Sequence, residues 1–290
     1  MKNLIIISTG CIAIAVTISS CTGDSTQASE TIENFYGEIN ALPESVRNEK
    51  DELKAYILPT PLQISSAIKI YGFEYNAELL LSENKKTNYP SDFNNALNLG
   101  IYTIDLAYAT VFENHIRSAS YLGNINGLMN ELGITGDYET KSLVKRFNTN
   151  REIQDSLYKI IMDGYEAGHN YFQRNGREGI GLLILTGCYI EGLHLTLGIK
   201  NTRSEMYENL MAQQKIFLDN ITELLGYYIK AKDVNLLLQD LNSIKADFDK
   251  IELDFDNPQT QPYALKNKID DNTVNALKTK VASLRNEIVS

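Results

Sequence analysis

Apolar residues recur at spacings of three and four along nearly all of the chain beyond residue 30, and runs of strict alternation are short and few. A helix repeats every 3.6 residues and a strand every 2, so the pattern predicts helices almost throughout. A first helix is expected over 31–42, stopped by Pro43. Pro59 and Pro61 then open a second, over 62–71, because proline suits a first helical turn, and a short partner follows at 75–81. Pro90-Ser91-Asp92 caps a long helix over 93–121, with Leu97, Ile101, Ile104, Tyr108, Val111 and Phe112 on one side. Shorter helices are expected over 125–132 and 138–147, and two long ones over 151–173 and 179–197. Arg174-Asn175-Gly176 joins the long pair, and Asn-Gly tolerates the left-handed backbone of a tight helical hairpin. The pattern closes with helices over 204–229, 234–251 and 273–288 and a loop over 254–271. No repeat of fixed period is visible.

The segment 179–197 is apolar almost all round and could be mistaken for a membrane span. Glu191, His194 and six glycines between 176 and 198 instead predict a central buried helix against which neighbours approach closely. The expected architecture is all-α, a multi-helix bundle of about eight to ten helices forming one domain over 31–290.

Ahead of that domain the pattern changes. Lys2, an apolar stretch over 4–18 and the small pair Ser19-Ser20 have the order of an export signal, and the stretch is shorter and richer in Ser and Thr than a bilayer span. Ile18-Ser19-Ser20-Cys21 resembles a lipobox, so residues 1–20 are expected to be removed and Cys21 to be acylated, palmitate included; an ordinary secretory signal is the alternative. Cys11 would leave too short an apolar region. Several acyl chains on one cysteine anchor stably, and the small, polar stretch 21–30 reads as a tether. Thr rather than Asp at position 22 favours an outer-membrane address, with the domain facing periplasm or cell surface.

Removing 1–20, whose one charge is Lys2, leaves 270 of the 290 residues and moves the formal charge from −10 to −11. Such acidity argues against nucleic acid, which needs a basic face, and against anionic lipid as a second anchor. Of three cysteines only Cys188 remains, so no internal disulfide forms; within its apolar run it reads as a small buried hydrophobe. No CxxC, HExxH, P-loop or GxSxG motif is present, so no cofactor is expected.

Two Glu-x-x-His pairs, Glu166/His169 and Glu191/His194, each place a carboxylate and an imidazole on one helix face, the spacing used by di-metal bundles. In a hairpin turning at Gly176 the pairs stand about 8 and 16 residues from the turn, an axial offset of roughly 12 Å, whereas bridged metals lie about 4 Å apart. Glu166 also continues a polar stripe with Asp155, Lys159 and Asp163 and is expected to face water. Asp105 and Glu191 interrupt otherwise apolar surfaces and need partners, for which Tyr102, Tyr108, Tyr189 and His194 are in helical reach. They form either an interhelical network that fixes register or a ligand site whose acids hold their protons. Lys141, Lys145, Arg146 and Arg151 are expected on a solvated basic face. Asp247, Asp249, Asp254 and Asp256 are expected on a solvated acidic one, since an EF-hand's glycine and closing glutamate are missing. His115 is expected near the C-terminus of the long helix, where its partial charge suits the dipole.

Thr60-Pro61-Leu62, Ala96-Leu97-Asn98-Leu99-Gly100-Ile101-Tyr102 leading into Asp105-Leu106-Ala107-Tyr108, and Leu185-Thr186-Gly187-Cys188-Tyr189-Ile190-Glu191-Gly192-Leu193 together resemble an uncharacterised family of helical bacteroidete lipoproteins, over most of the mature chain. The resemblance implies address and fold, and carries no activity. The chain departs from it at Cys188, where a bulkier or aromatic residue is expected, and at His194, where Tyr is expected, which weakens a metal role for His194. With no nucleophile–base pair or cofactor loop, the sequence favours a non-catalytic cell-envelope binding or scaffold protein with a protein or small-molecule partner. The alternative is a metal-dependent enzyme or sensor built around Asp105, Glu191 and His194. A purely structural envelope protein would differ from a binding protein in having no ligand-sized cavity.

Overall fold

A computed structural model describes residues 6–7, 56–57, 59–83, 89–134, 138–199, 204–228, 232–254 and 264–290. Cys21, its tether and the helix expected over 31–42 lie outside these residues. The described residues form an all-α bundle of nine α-helices and one 3-10 turn, and extended pairing is confined to two-residue strands.

Helix α1, Pro61–Ile70, starts where the prolines predict. Thr60 caps it reciprocally: its hydroxyl accepts from the Gln63 N–H at 3.2 Å, and the Gln63 side chain accepts from the Thr60 N–H at 2.7 Å. A 3-10 turn, Ala77–Leu79, follows. Helix α2, Asp92–Val111, is capped by Ser91 and buries most of its length.

The long helix expected to run through 121 is two helices. Glu113 adopts a left-handed φ of 63°, and Asn114 then caps α3, His115–Glu131, by accepting from the Arg117 N–H at 3.2 Å. His115 therefore opens a helix instead of closing one. The apolar period runs on across the break, which hid a cap signal that Asn114 itself carries.

Helices α4 (Tyr138–Thr149), α5 (Gln154–Arg174), α6 (Glu178–Leu197), α7 (Glu205–Tyr228), α8 (Lys232–Phe248) and α9 (Asp271–Val289) complete the set. Gly176, with φ 62°, makes the hairpin turn between α5 and α6 as its sequence predicts. The loop expected over 254–271 holds a small antiparallel pairing of Leu253–Asp254 with Ala264–Leu265.

Helices α2 and α6 pack along the longest seam of the fold, and α1, α5, α7 and α9 surround α6. The seam closes at two glycines. A Cβ at Gly100 would strike the backbone of Ile184 and Cys188, and one at Gly187 would strike the backbone of Leu97. The Cys188 thiol lies 3.4 Å from the Gly100 carbonyl, to which it donates. The stretch Gly179–Leu197 is long and apolar enough to cross a membrane, but 72% of it is buried inside the fold, where one continuous apolar core surrounds it.

Candidate functional site

Two features of the α2–α6 pair could carry function, a buried ionic cluster and an apolar cavity. The cluster joins three helices. Asp105 of α2 and Glu191 of α6 are wholly buried, and Arg285 of α9 is 8% exposed. Arg285 grips Glu191 with two hydrogen bonds, Nε to Oε2 at 2.5 Å and Nη2 to Oε1 at 2.8 Å, and Nη2 also donates to the Leu79 carbonyl at 3.1 Å. Asp105 Oδ2 accepts from the Leu81 N–H at 3.0 Å, and the Tyr121 hydroxyl donates to the Leu81 carbonyl at 2.7 Å.

Burial, then the neighbouring Glu191, push the Asp105 carboxyl well above its ordinary range, and its buried Oδ1 accepts no hydrogen bond. Two buried carboxyl groups beside one guanidinium carry one negative charge at least cost, which favours a proton on Asp105. The cluster is then a neutral unit: one guanidinium, one carboxylate and one carboxylic acid. It holds α2, α6, α9 and the 3-10 segment in one register.

The sequence brings Asp105 and Glu191 to one place but misses their main partner. Arg285 had one legible signal: it sits beside Val281, Leu284 and Ile288 on the apolar side of α9. Tyr108, expected in the same network, is elsewhere; its hydroxyl accepts from the Asn76 N–H at 3.0 Å, and its ring packs between Tyr75 and Phe112. The Tyr189 hydroxyl donates to the Gln214 carbonyl at 3.2 Å, away from the cluster. His194 is at the cluster's edge, with its imidazole hydrogen-bonded to the Leu79 backbone; burial lowers its pKa. The guanidinium occupies both Glu191 oxygens, and among the described residues no three His, Cys, Asp or Glu side chains are arranged to hold a metal ion.

Asp247 corrects the expectation of a solvated acidic face. It is 4% exposed and clamps Lys250 and Lys280, each at 2.6 Å, tying α8 to α9. Within the expected basic face, Arg146 bridges α4 to Asp163 of α5 at 2.7 Å. Glu166 is exposed, as its polar stripe predicts.

The cavity lies on the other side of the pair, lined by α2 to α6 and open on one side, with a volume of about 170 Å³. Leu106, Ile125, Phe147, Ile160, Phe172 and Ile184 are typical of its wall. Ile184 is only half-buried although it lies mid-way along the central helix, because its side faces this space. Gly164 and Gly168, one turn apart on α5, also line it, and a Cβ at Gly168 would meet nothing within 4 Å. Cys188 contributes a protonated wall, its thiol pushed by burial up to about 12. His169 stands at the exposed rim, its pKa lowered by burial of its inner side. Neither Asp105, Glu191 nor Arg285 borders the cavity. In comparisons with protein-family models, curated proteins and solved structures, nothing matches the chain.

Proposed function

We propose that this is a non-catalytic, lipid-anchored cell-envelope protein, held on the outer membrane through acylated Cys21, that binds a small apolar molecule in the cavity lined by α2 to α6. The cavity carries this reading, because a purely structural bundle would be expected to fill the same space with side chains to near-crystalline density. It is walled by apolar groups with a few polar ones at its edge, the composition of a small-molecule site. The ionic cluster is read as structural, because Arg285 occupies both Glu191 oxygens and the cluster does not border this cavity. The lipobox resemblance and the similarity to helical bacteroidete lipoproteins support the address.

Methyl-labelled full-length chain in lipid nanodiscs, titrated with n-hexane, 1-hexanol and palmitate against empty nanodiscs, tests the site. Binding of any of these is expected to shift the Met129 and Ile184 methyl signals, and Gly168→Leu to abolish the shift. If no apolar probe moves those methyls, the protein is structural and the proposal fails.

A further inference from the structure

The dimensions and polarity of the cavity narrow its ligand, on the reading that it is a binding site. We infer that it takes an uncharged molecule, mostly hydrocarbon and of about ten or fewer non-hydrogen atoms, that offers one hydrogen-bonding group to Asn126 and His169.

Size comes first. The space measures about 170 Å³. An engineered apolar cavity of about 150 Å³ accepts benzene, and pockets for drug-sized ligands run to about 300–1,000 Å³. One ring or one short chain therefore fits, and a full-length lipid acyl chain does not fit wholly inside. Charge comes second: no Asp, Glu, Lys or Arg borders the space. Its three ionisable neighbours are Cys188, Tyr165 and His169, and burial favours the neutral form of both Cys188 and His169. A carboxylate or ammonium entering here would lose its water and gain no counter-charge.

The single polar contact follows from the side chains that are left over. Thr103 already donates its hydroxyl to the Leu99 carbonyl at 2.7 Å. The half-buried amide of Asn126 and the imidazole of His169 make no hydrogen bond to any described residue, although both border the cavity. Both keep accessible polar atoms at the cavity, which one hydroxyl, phenol or pyrrole N–H entering it would engage. Gly164 and Gly168 keep the α5 wall flat, and flatness favours a ring or an unbranched chain.

Four probes of matched or graded chemistry test this: phenol, 1-hexanol, sodium hexanoate and sodium palmitate, each titrated into the full-length chain in nanodiscs at pH 7.5. Phenol and 1-hexanol are expected to move the Met129, Ile184 and Leu185 methyl signals saturably, while hexanoate and palmitate leave them in place. Asn126→Leu is expected to weaken 1-hexanol by about tenfold and leave n-hexane unaffected, since one hydrogen bond is lost and the apolar wall is kept. Binding of hexanoate or palmitate as tight as that of 1-hexanol would overturn the ligand class and leave the apolar site standing. Silence from all probes, n-hexane included, would overturn both.

Discussion

At the residue scale, the central device is a proton held by Asp105 beside a carboxylate already claimed by Arg285. Its location makes two acids of similar burial respond oppositely to amide substitution. Asp105→Asn preserves an acceptor for the Leu81 N–H and a donor towards Glu191, so it is expected not to lower stability at pH 7. Glu191→Gln leaves the buried guanidinium of Arg285 without its counter-charge and is expected to cost about 3–5 kcal/mol by denaturant unfolding. Equal losses in the two variants would show the proton to be misplaced.

The sign of the pH dependence follows from the same proton. In the unfolded chain Asp105 ionises near pH 3.9, whereas in the fold burial and Glu191 hold it protonated to well above that pH. From about pH 4 upward the unfolded state therefore binds fewer protons at this site than the native state, and stability drains away as pH rises towards the folded pKa. Asp105→Asn removes this term, so its stability relative to the parent is expected to grow with pH across that window. A pH-independent difference would contradict the assignment.

At the scale of elements, the apolar period makes most helices legible, because each must bury one stripe, and residues such as Thr60, Ser91 and Gly176 mark ends that chain chemistry alone decides. The break at 112–114 was obscured because Phe112 continues the apolar side of α2 up to the turn, so periodicity outweighed the cap at Asn114. Arg285 was harder to find, since a lone arginine on a surface-like helix reads as solvated until a distant carboxylate, 94 residues away, is brought to it. The need for partners at Asp105 and Glu191 was legible, but the choice among tyrosines was not: Tyr108 turned towards Asn76 because the local loop supplied a nearer donor.

The glycines divide by the same logic. Gly187→Ala pushes a methyl into the Leu97 backbone and is expected to lower stability by about 1–3 kcal/mol, by forcing α2 and α6 apart. Gly123→Ala, in α3 with nothing within 4 Å of its Cβ, is expected to raise it by about 0.5–1 kcal/mol through helix propensity. Thermal unfolding of both variants checks the pair; a harmless Gly187→Ala would mean that the helices do not meet this closely.

At the scale of the whole molecule, the proposed anchor and tether would hold on the membrane a bundle whose described residues line an apolar cavity. No sequence pattern revealed the chamber, because empty volume belongs to no residue; it arises where α2 and α6 close on Gly100 and Gly187 while α4 and α5 stand off. The proposed anchor makes its own prediction: Cys21→Ala is expected to abolish palmitate labelling and to move the protein from the membrane to the soluble fraction, and continued labelling would refute it.

The central claim, that the chamber is there to be occupied, is tested most directly by the melting temperature of the full-length chain and of Gly168→Leu, each with and without saturating phenol. A ligand that binds only the folded state raises its stability by mass action, and a leucine at 168 fills the same space permanently. The account expects phenol to raise the melting temperature of the parent, and the variant to start higher and ignore phenol. A parent that does not respond, or a variant that responds as the parent does, would contradict it.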